Sequence, residues 1–460
     1  MVLGGLASWR WFGRFLWDPL TCIGEMQRRF GPMTVLGNPV AARQRLIMAI
    51  GERYNREVLG QPDVFRTGGQ VMPGPRGSTH RRMRLGILAM NGEQHRSARR
   101  MMQGPFQKPA VSAAVGTMAQ LTDQVLAGWR PGGTIDLYAE MRKLSNWLAA
   151  NILFGNEDFA ASLRLGETIH RWFTCDARAR KTFFWLNVPG TAYSQTLRLA
   201  EQLESDLKET IARNRRTRTP GSDVLSILIR ALDSQQGSMT ETELIAHAVI
   251  LYGASFETTA NALAWTLFLV AQHPQIAADL HDEICARLAS WPASREQLDE
   301  LPLLDAVVRE SLRLLPPVAY SFRMPVCDAD LAGLAVRKGD RVLLSHFHTH
   351  RNPEVFPDAL HFRPSRWFNF RPSPYEYMPF SAGPRLCLGY SFALAELKLV
   401  VARVMQRFRL QAVAGSRVDA VVRLTLQPQQ GLPMQVFAQD RAFEAAPVTG
   451  NIHTMVDLGG

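Results

Sequence analysis

The chain has 460 residues, 46% of them hydrophobic, and a formal net charge of +11. That length supports a large buried core, and the basic balance alone admits nucleic acid, anionic lipid or an acidic protein as partner. Five cysteines, Cys22, Cys175, Cys285, Cys327 and Cys387, are too few and too scattered for a disulfide framework or a CxxC-type zinc site, which fits a reducing compartment.

The arginines are dispersed and no nucleic-acid motif accompanies them, so no nucleic-acid partner is expected. The densest run, Arg213, Arg215, Arg216 and Arg218, is the solvated end of a predicted helix. The stretch 1–20 mixes aromatics with Arg10, Arg14 and Asp18. It lacks the apolar run of about 18 residues that a membrane span needs, and the apolar core and cleavage site of a signal peptide. A soluble cytoplasmic protein is therefore expected. Trp9, Trp11, Phe12, Phe15, Leu16 and Trp17 would either touch a membrane surface or pack on the body, and packing is the favoured reading.

A short strand is predicted at 33–36. Apolar residues at three- and four-residue spacing predict helices over 113–129, 138–153 and 194–213. Thr240 and Glu243 then set a capping box, and an apolar pattern runs on to Gln272, just before His273 and Pro274. At about 1.5 Å per residue this rod is roughly 45 Å long, enough to cross a domain. It is apolar around most of its circumference, as for a helix buried in a core. His247, Glu257, Thr258 and Thr259 interrupt it and weigh against a membrane span. A helix over 303–315 stops at Pro316 and Pro317. Strands are predicted at 334–337, 341–345 and 424–428, and a last helix follows Gly389 to about Phe408. Length alone favours two or three domains, but no linker or repeat appears. The expectation is one mainly α body with small β-sheets over 1–440. The stretch 441–460 is expected to be a flexible tail.

The segment 380–389, FSAGPRLCLG, carries the strongest chemistry. A glycine-punctuated loop presents Cys387 just before a helix, whose N-terminus stabilises a thiolate. Gly383 and Gly389 allow close backbone approach to a flat ligand, and Arg385 offers a cation to an anionic group. Upstream, Glu310 and Arg313 share a helix face at three-residue spacing. His95 and Arg99 share another at four-residue spacing, where the plain alternative is a solvated basic helix. In the long helix, ASFETT over 254–259 places an acid beside a threonine, where the plain alternative is a hydroxyl bonded to the preceding turn.

Together these resemble the cytochrome P450 family. FSAGPRLCLG matches its F-x-x-G-x-R-x-C-x-G haem loop at every specified position. ESLR over 310–313 matches its E-x-x-R, and HRSAR over 95–99 its H-x-x-x-R. FRPSRW over 362–367 resembles F-x-P-E-R-F, with Ser365 and Trp367 replacing the usual glutamate and phenylalanine. ASFETT resembles [A/G]-G-x-[D/E]-T-[T/S], with Ser255 at the usual glycine.

The resemblance implies a triangular-prism-like haem-thiolate fold, with the long helix crossing the haem. It implies haem b (iron protoporphyrin IX; heme) bound by Cys387 as proximal iron ligand, whose electron push favours O–O cleavage. Arg385, His95, Arg99 and Arg323 would bind the propionates, Phe380 would pack beside the sulfur, and Gly389 would border it. Glu310, Arg313 and Arg366 would form a buried structural triad. Thr258 and Glu257 would be the catalytic pair, the threonine orienting water and the acid relaying protons. Serine at 255 would narrow the oxygen groove or add a hydrogen bond, and Gly253 would share the helix bend.

By the same analogy, the substrate pocket draws on 64–88, 172–185, Ala254, 318–320 (with Val318) and 431–433 (with Leu432). These segments are mostly apolar and favour a lipophilic small molecule: fatty acid, terpenoid or polyketide. No flavin or iron–sulfur motif appears, so NAD(P)H electrons would arrive through a ferredoxin or flavodoxin with its reductase. That donor would dock by a basic face including Arg96, Arg100 and Lys108. The expectation is thus a monomeric monooxygenase of secondary metabolism that inserts one atom of O2 by hydroxylation or epoxidation. Alternatives are a haem-thiolate peroxygenase, isomerase or dehydratase, against which Glu257 and Thr258 weigh, and a non-catalytic haem carrier or sensor.

Overall fold

The computed structural model describes residues 2–3, 5–37, 44–68, 74–182, 186–217, 221–234, 239–288 and 290–459. Part of the expected pocket lining, 69–73 and 183–185, and Arg218 of the basic run lie outside them.

The fold is mainly helical. Helix Glu241–Ala271 is its axis. Thr240 caps it reciprocally with Glu243, as the sequence predicts, and Gln272 ends it ahead of Pro274. Helices Leu137–Leu148, Val224–Asp233, Pro302–Leu314 and Tyr390–Arg407 pack around this rod, and Phe159–Thr182 and Ala192–Thr217 form a paired layer beside it. The predicted helix over 138–153 ends at Leu148 and continues as a π-helical turn, Ala149–Leu153. The helix predicted from 113 begins at Lys108, because Pro109 fits the first turn of a helix.

A six-stranded sheet has the order Val2–Leu3, Met33–Gly37, Arg45–Ala49, Arg341–Ser345, Tyr320–Pro325, Phe65–Arg66. Arg45–Ala49 runs parallel to Arg341–Ser345 (Leu46 opposite Arg341), and Tyr320–Pro325 runs antiparallel to it (Arg323 opposite Val342). A second sheet joins Phe408–Ala412, Pro433–Ala438 and Thr134–Asp136.

The N-terminal aromatics lie on helix Gly5–Trp17. Trp11 and Phe15 pack into a core with Ile23, Met26, Leu46 and Leu343, while Trp9 and Trp17 stay exposed. Among the described residues no helix is long and apolar enough to cross a membrane.

The expected flexible tail is instead folded onto the body. Arg441 pairs bidentately with Asp282, Thr449 bridges to Arg417, Asp457 bridges to His361, and Asn451–Thr454 forms a 3-10 turn. Val448, Ile452 and Val456, spaced by four, enter the main core. Ile452 is 0% exposed, so Ile452→Ala is expected to cost about 2–4 kcal/mol. A urea midpoint unchanged from wild type would show that the tail contributes nothing.

Candidate functional site

The 380–389 loop is shaped around its cysteine. Gly383 takes φ +64° in the turn Gly383–Arg385, and a Cβ there would stand 3.1 Å from Leu59 O. The Cys387 N–H donates to Phe380 O at 2.9 Å, closing the loop. Phe380 packs edge-to-face on Tyr390, with ring centroids 4.9 Å apart. Gly389 precedes helix Tyr390–Arg407, and a Cβ on it would lie 4.0 Å from Cys387 Sγ. Desolvation pushes the thiol pKa up, partly offset by the Gly389 N–H and the Arg99 charge. Yet Cys387 is solvent-accessible.

Cations converge on this loop from three segments. Arg99, on helix Gly92–Met102, donates Nη1–H to Leu386 O at 2.8 Å. Arg385 donates to Met90 O and, at 2.9 Å, to Asn91 Oδ1. Arg323 is only 8% exposed, and its guanidinium donates to Phe322 O at 2.8 Å. Burial lowers the pKa of Arg385 to about 10, with Arg323 and Arg99 adding to the shift, and burial alone takes Arg323 to about 10. His95 is buried and pushed down to about 4 by desolvation and by Arg385 and Arg99, so at neutral pH it offers a neutral ring. Among the described residues, none of Arg99, Arg323 and Arg385 has an acid partner. Three partly desolvated guanidiniums without a carboxylate suit an anionic ligand. The donor set therefore fits a group that brings a metal for the Cys387 sulfur together with carboxylates for the guanidiniums.

The long helix supplies a second surface. From Leu244 to Ala271 every residue is buried except Ala254, Ser255 and Thr258. Their hydroxyls bond back to the helix: Ser255 Oγ–H to Tyr252 O at 2.7 Å, and Thr258 Oγ1–H to Ala254 O at 2.9 Å. Glu257, 4% exposed, turns the other way and meets His170 Nδ1 of the Phe159–Thr182 helix at 2.8 Å. The acid and the alcohol are thus neighbours in sequence on different faces. Nothing local in the sequence marked His170. Gly253, expected to share a helix bend, has a packing role: a Cβ there would come within 2.7 Å of Phe173.

Glu310 and Arg313 pair bidentately at 2.9 Å, both fully buried. Arg366 Nε–H also donates to Glu310 Oε1 at 2.9 Å. Trp367, a departure from the family pattern, adds Nε1–H to Glu310 Oε2 at 2.9 Å. Arg313 further donates to the carbonyls of His350, Ala359 and His361. This cluster ties helix Pro302–Leu314 to the segment 350–367 that leads into the cysteine loop. Of the expected pocket residues, Ala254 is open and Val318 half-buried. Leu432 is 1% exposed, its N–H bonded to Asp136 Oδ1, so it packs in the core and adds no accessible lining.

The family model described as Cytochrome P450 matches residues 8–432. The chain belongs to the cytochrome P450 family. It is 32% identical to Cyclooctat-9-en-7-ol 5-monooxygenase of Streptomyces melanosporofaciens, covering 81% of this chain and 82% of that one. It is 28% identical to Pentalenene oxygenase of Streptomyces avermitilis, over 84% of this chain and 86% of that one. The fold is similar to that of retinoic acid bound cyanobacterial CYP120A1, with a TM-score of 0.77 at 24% identity over 90% of this chain and 93% of that one. This P450 is a haem-dependent monooxygenase, an oxidoreductase that uses O2 and draws NAD(P)H-derived electrons through a redox partner.

Proposed function

We propose that this P450 hydroxylates or epoxidises a lipophilic small molecule of terpenoid type, with Cys387 as iron ligand. The observation that carries the site assignment is the set of three acid-free guanidiniums around the loop that presents Cys387. Arg99, Arg323 and Arg385 would hold the haem propionates, with His95 adding a neutral ring donor. Bound haem supplies dioxygen binding and activation, and the chain's residues do the rest. Gly389 N–H stabilises the thiolate. The hydroxyl of Thr258, on the open face of the long helix, positions water and donates a proton. Glu257, held by His170, replenishes that proton from behind the helix. The terpenoid assignment is supported by the two terpene-modifying Streptomyces relatives and by a largely apolar surround.

The electron donor in this reading is a small acidic ferredoxin or flavodoxin with its reductase, and the enzyme works as a cytoplasmic monomer. Of the expected docking cations, Arg96 and Arg100 both pair with Glu93 on their own helix, while Lys108 is exposed. Docking should therefore weaken with salt only modestly at the first two.

Reconstitution with NADPH, a ferredoxin, its reductase and labelled O2 should place one labelled oxygen in a terpenoid product. Turnover driven by peroxide alone, with none from NADPH, would overturn the reading. Thr258→Ala is expected to lower product per NADPH on the order of 10²-fold while NADPH oxidation continues, the usual loss when a positioned proton donor is removed. Unchanged coupling would remove Thr258 from the relay.

A further inference from the structure

Glu310 and Glu396 are both 0% exposed, and the fold treats them in opposite ways. Glu310 receives five hydrogen bonds, three of them from arginine side chains. Glu396 receives none: among the described residues, neither Oε1 nor Oε2 has a hydrogen-bond partner. A carboxylate in such a place would lose its hydration with no donor to replace it.

Glu396 lies on helix Tyr390–Arg407, which follows Cys387 directly and packs against the long helix and helix Lys108–Leu126. On its own helix, the same face carries Phe392, Leu399 and Val400, all buried and apolar. The polar group that bears on it is Ser145 of helix Leu137–Leu148, whose Oγ is also buried without a partner.

The charged groups on the surrounding elements are held elsewhere. Arg403 and Arg407, further along the same face, share Asp123 of helix Lys108–Leu126. Lys398 bridges Asp299 and Asp305, and Arg295 also pairs with Asp299. Glu257 of the long helix meets His170, and Glu283 of helix Pro274–Arg287 accepts from the Leu303 and Leu304 N–H groups. Arg409 of the following strand pairs with Asp440, while Glu140 and Arg142 bond to Trp129 and Glu167. Only burial and Ser145 act on Glu396, and burial prevails, pushing its pKa up to about 8.

We propose that Glu396 is kept as a neutral carboxylic acid in the folded enzyme and serves as an alkaline switch, whose ionisation loosens the helix behind Cys387 and with it the hold on haem. This goes beyond the proposed function and does not depend on it. Below the ordinary carboxyl pKa of about 4.3, folded and unfolded chains both carry the proton, and the group has no effect on pH dependence. Between there and about 8 the folded chain keeps a proton that the unfolded chain sheds. Stability therefore falls as pH rises through that window, and the loss is complete above it. The carboxylate forms in the folded chain only near the upper end. The direction is opposite to that of the Cys387 thiol, whose deprotonation on metal binding makes haem binding weaken as pH falls.

The test combines infrared spectroscopy with haem transfer from the holoenzyme to excess apomyoglobin. The difference spectrum of wild type against Glu396→Gln should show a protonated carboxylic acid carbonyl band at about pH 6 that is gone by about pH 9.5, past the folded pKa. Haem transfer from wild type should quicken about tenfold or more over the same range, the equivalent of one pKa unit. In Glu396→Gln and Glu396→Met, which stay neutral at every pH, that rise should be absent. If neither variant folds, the band of the wild type decides by itself. The proposal is overturned if the band is missing at the lower pH or survives at the higher one. It is equally overturned if both variants release haem with the same pH dependence as wild type.

Discussion

Glu310→Ala is expected to cost about 3–5 kcal/mol of stability, because it strands buried donors rather than merely deleting a contact. Glu310 receives five hydrogen bonds: two from Arg313 and one each from Arg366 Nε, Trp367 Nε1 and the Arg363 backbone N–H. Arg313 would keep its carbonyl partners but lose the only acid paired with its buried charge among the described residues. Burial alone would raise the Glu310 pKa. The Arg313 hydrogen bond and the Arg313 and Arg366 charges outweigh it and hold the carboxyl below its ordinary value. The sign follows from that depression. The contribution is present above the unfolded pKa of about 4.3 and is lost as pH falls through the lower folded value. Denaturant unfolding should therefore show a wild-type advantage at pH 7 that shrinks below about pH 4. A loss under about 1 kcal/mol at pH 7 would mean the cluster is no better than a surface pair.

Part of this cluster was legible in the sequence and part was not, for a physical reason. The E-x-x-R spacing fixes Glu310 and Arg313 on one helix face, whatever the rest of the chain does. Trp367 looked like a weakening of the family pattern, and its indole N–H became a partner of Glu310 only through a contact 57 residues away in sequence. The capping box at Thr240 was likewise local and held. The relation of Glu257 to Thr258 was only half read. Adjacent helix residues point about 100° apart at 3.6 residues per turn, so an acid beside a threonine on one buried rod must face a different neighbour. Which neighbour, His170, depends on how two helices dock. The tail had its apolar spacing in Val448, Ile452 and Val456, but three residues without a visible partner surface do not announce burial.

Cys387→Ala is expected to abolish the long-wavelength band of the reduced carbon monoxide complex and all NAD(P)H-driven oxygenation, while the protein stays folded. Folding should survive because what shapes the loop is backbone: the Cys387 N–H to Phe380 O, and Gly383 at positive φ. Alanine retains both, and the Glu310 cluster does not touch the sulfur. The remaining cysteines cannot substitute. Cys22 and Cys175 are buried in other parts of the fold, and Cys285 and Cys327 are exposed on segments remote in sequence from the glycine-bordered loop. Desolvation opposes the thiolate at Cys387, so the negative charge must be sustained by the Gly389 N–H, by Arg99 and, in the holoenzyme, by the metal itself. Metal binding and thiol deprotonation are then one coupled event, and haem affinity should fall as pH is lowered. Persistence of the long-wavelength band in Cys387→Ala, or its absence from wild type, would assign the iron ligand elsewhere.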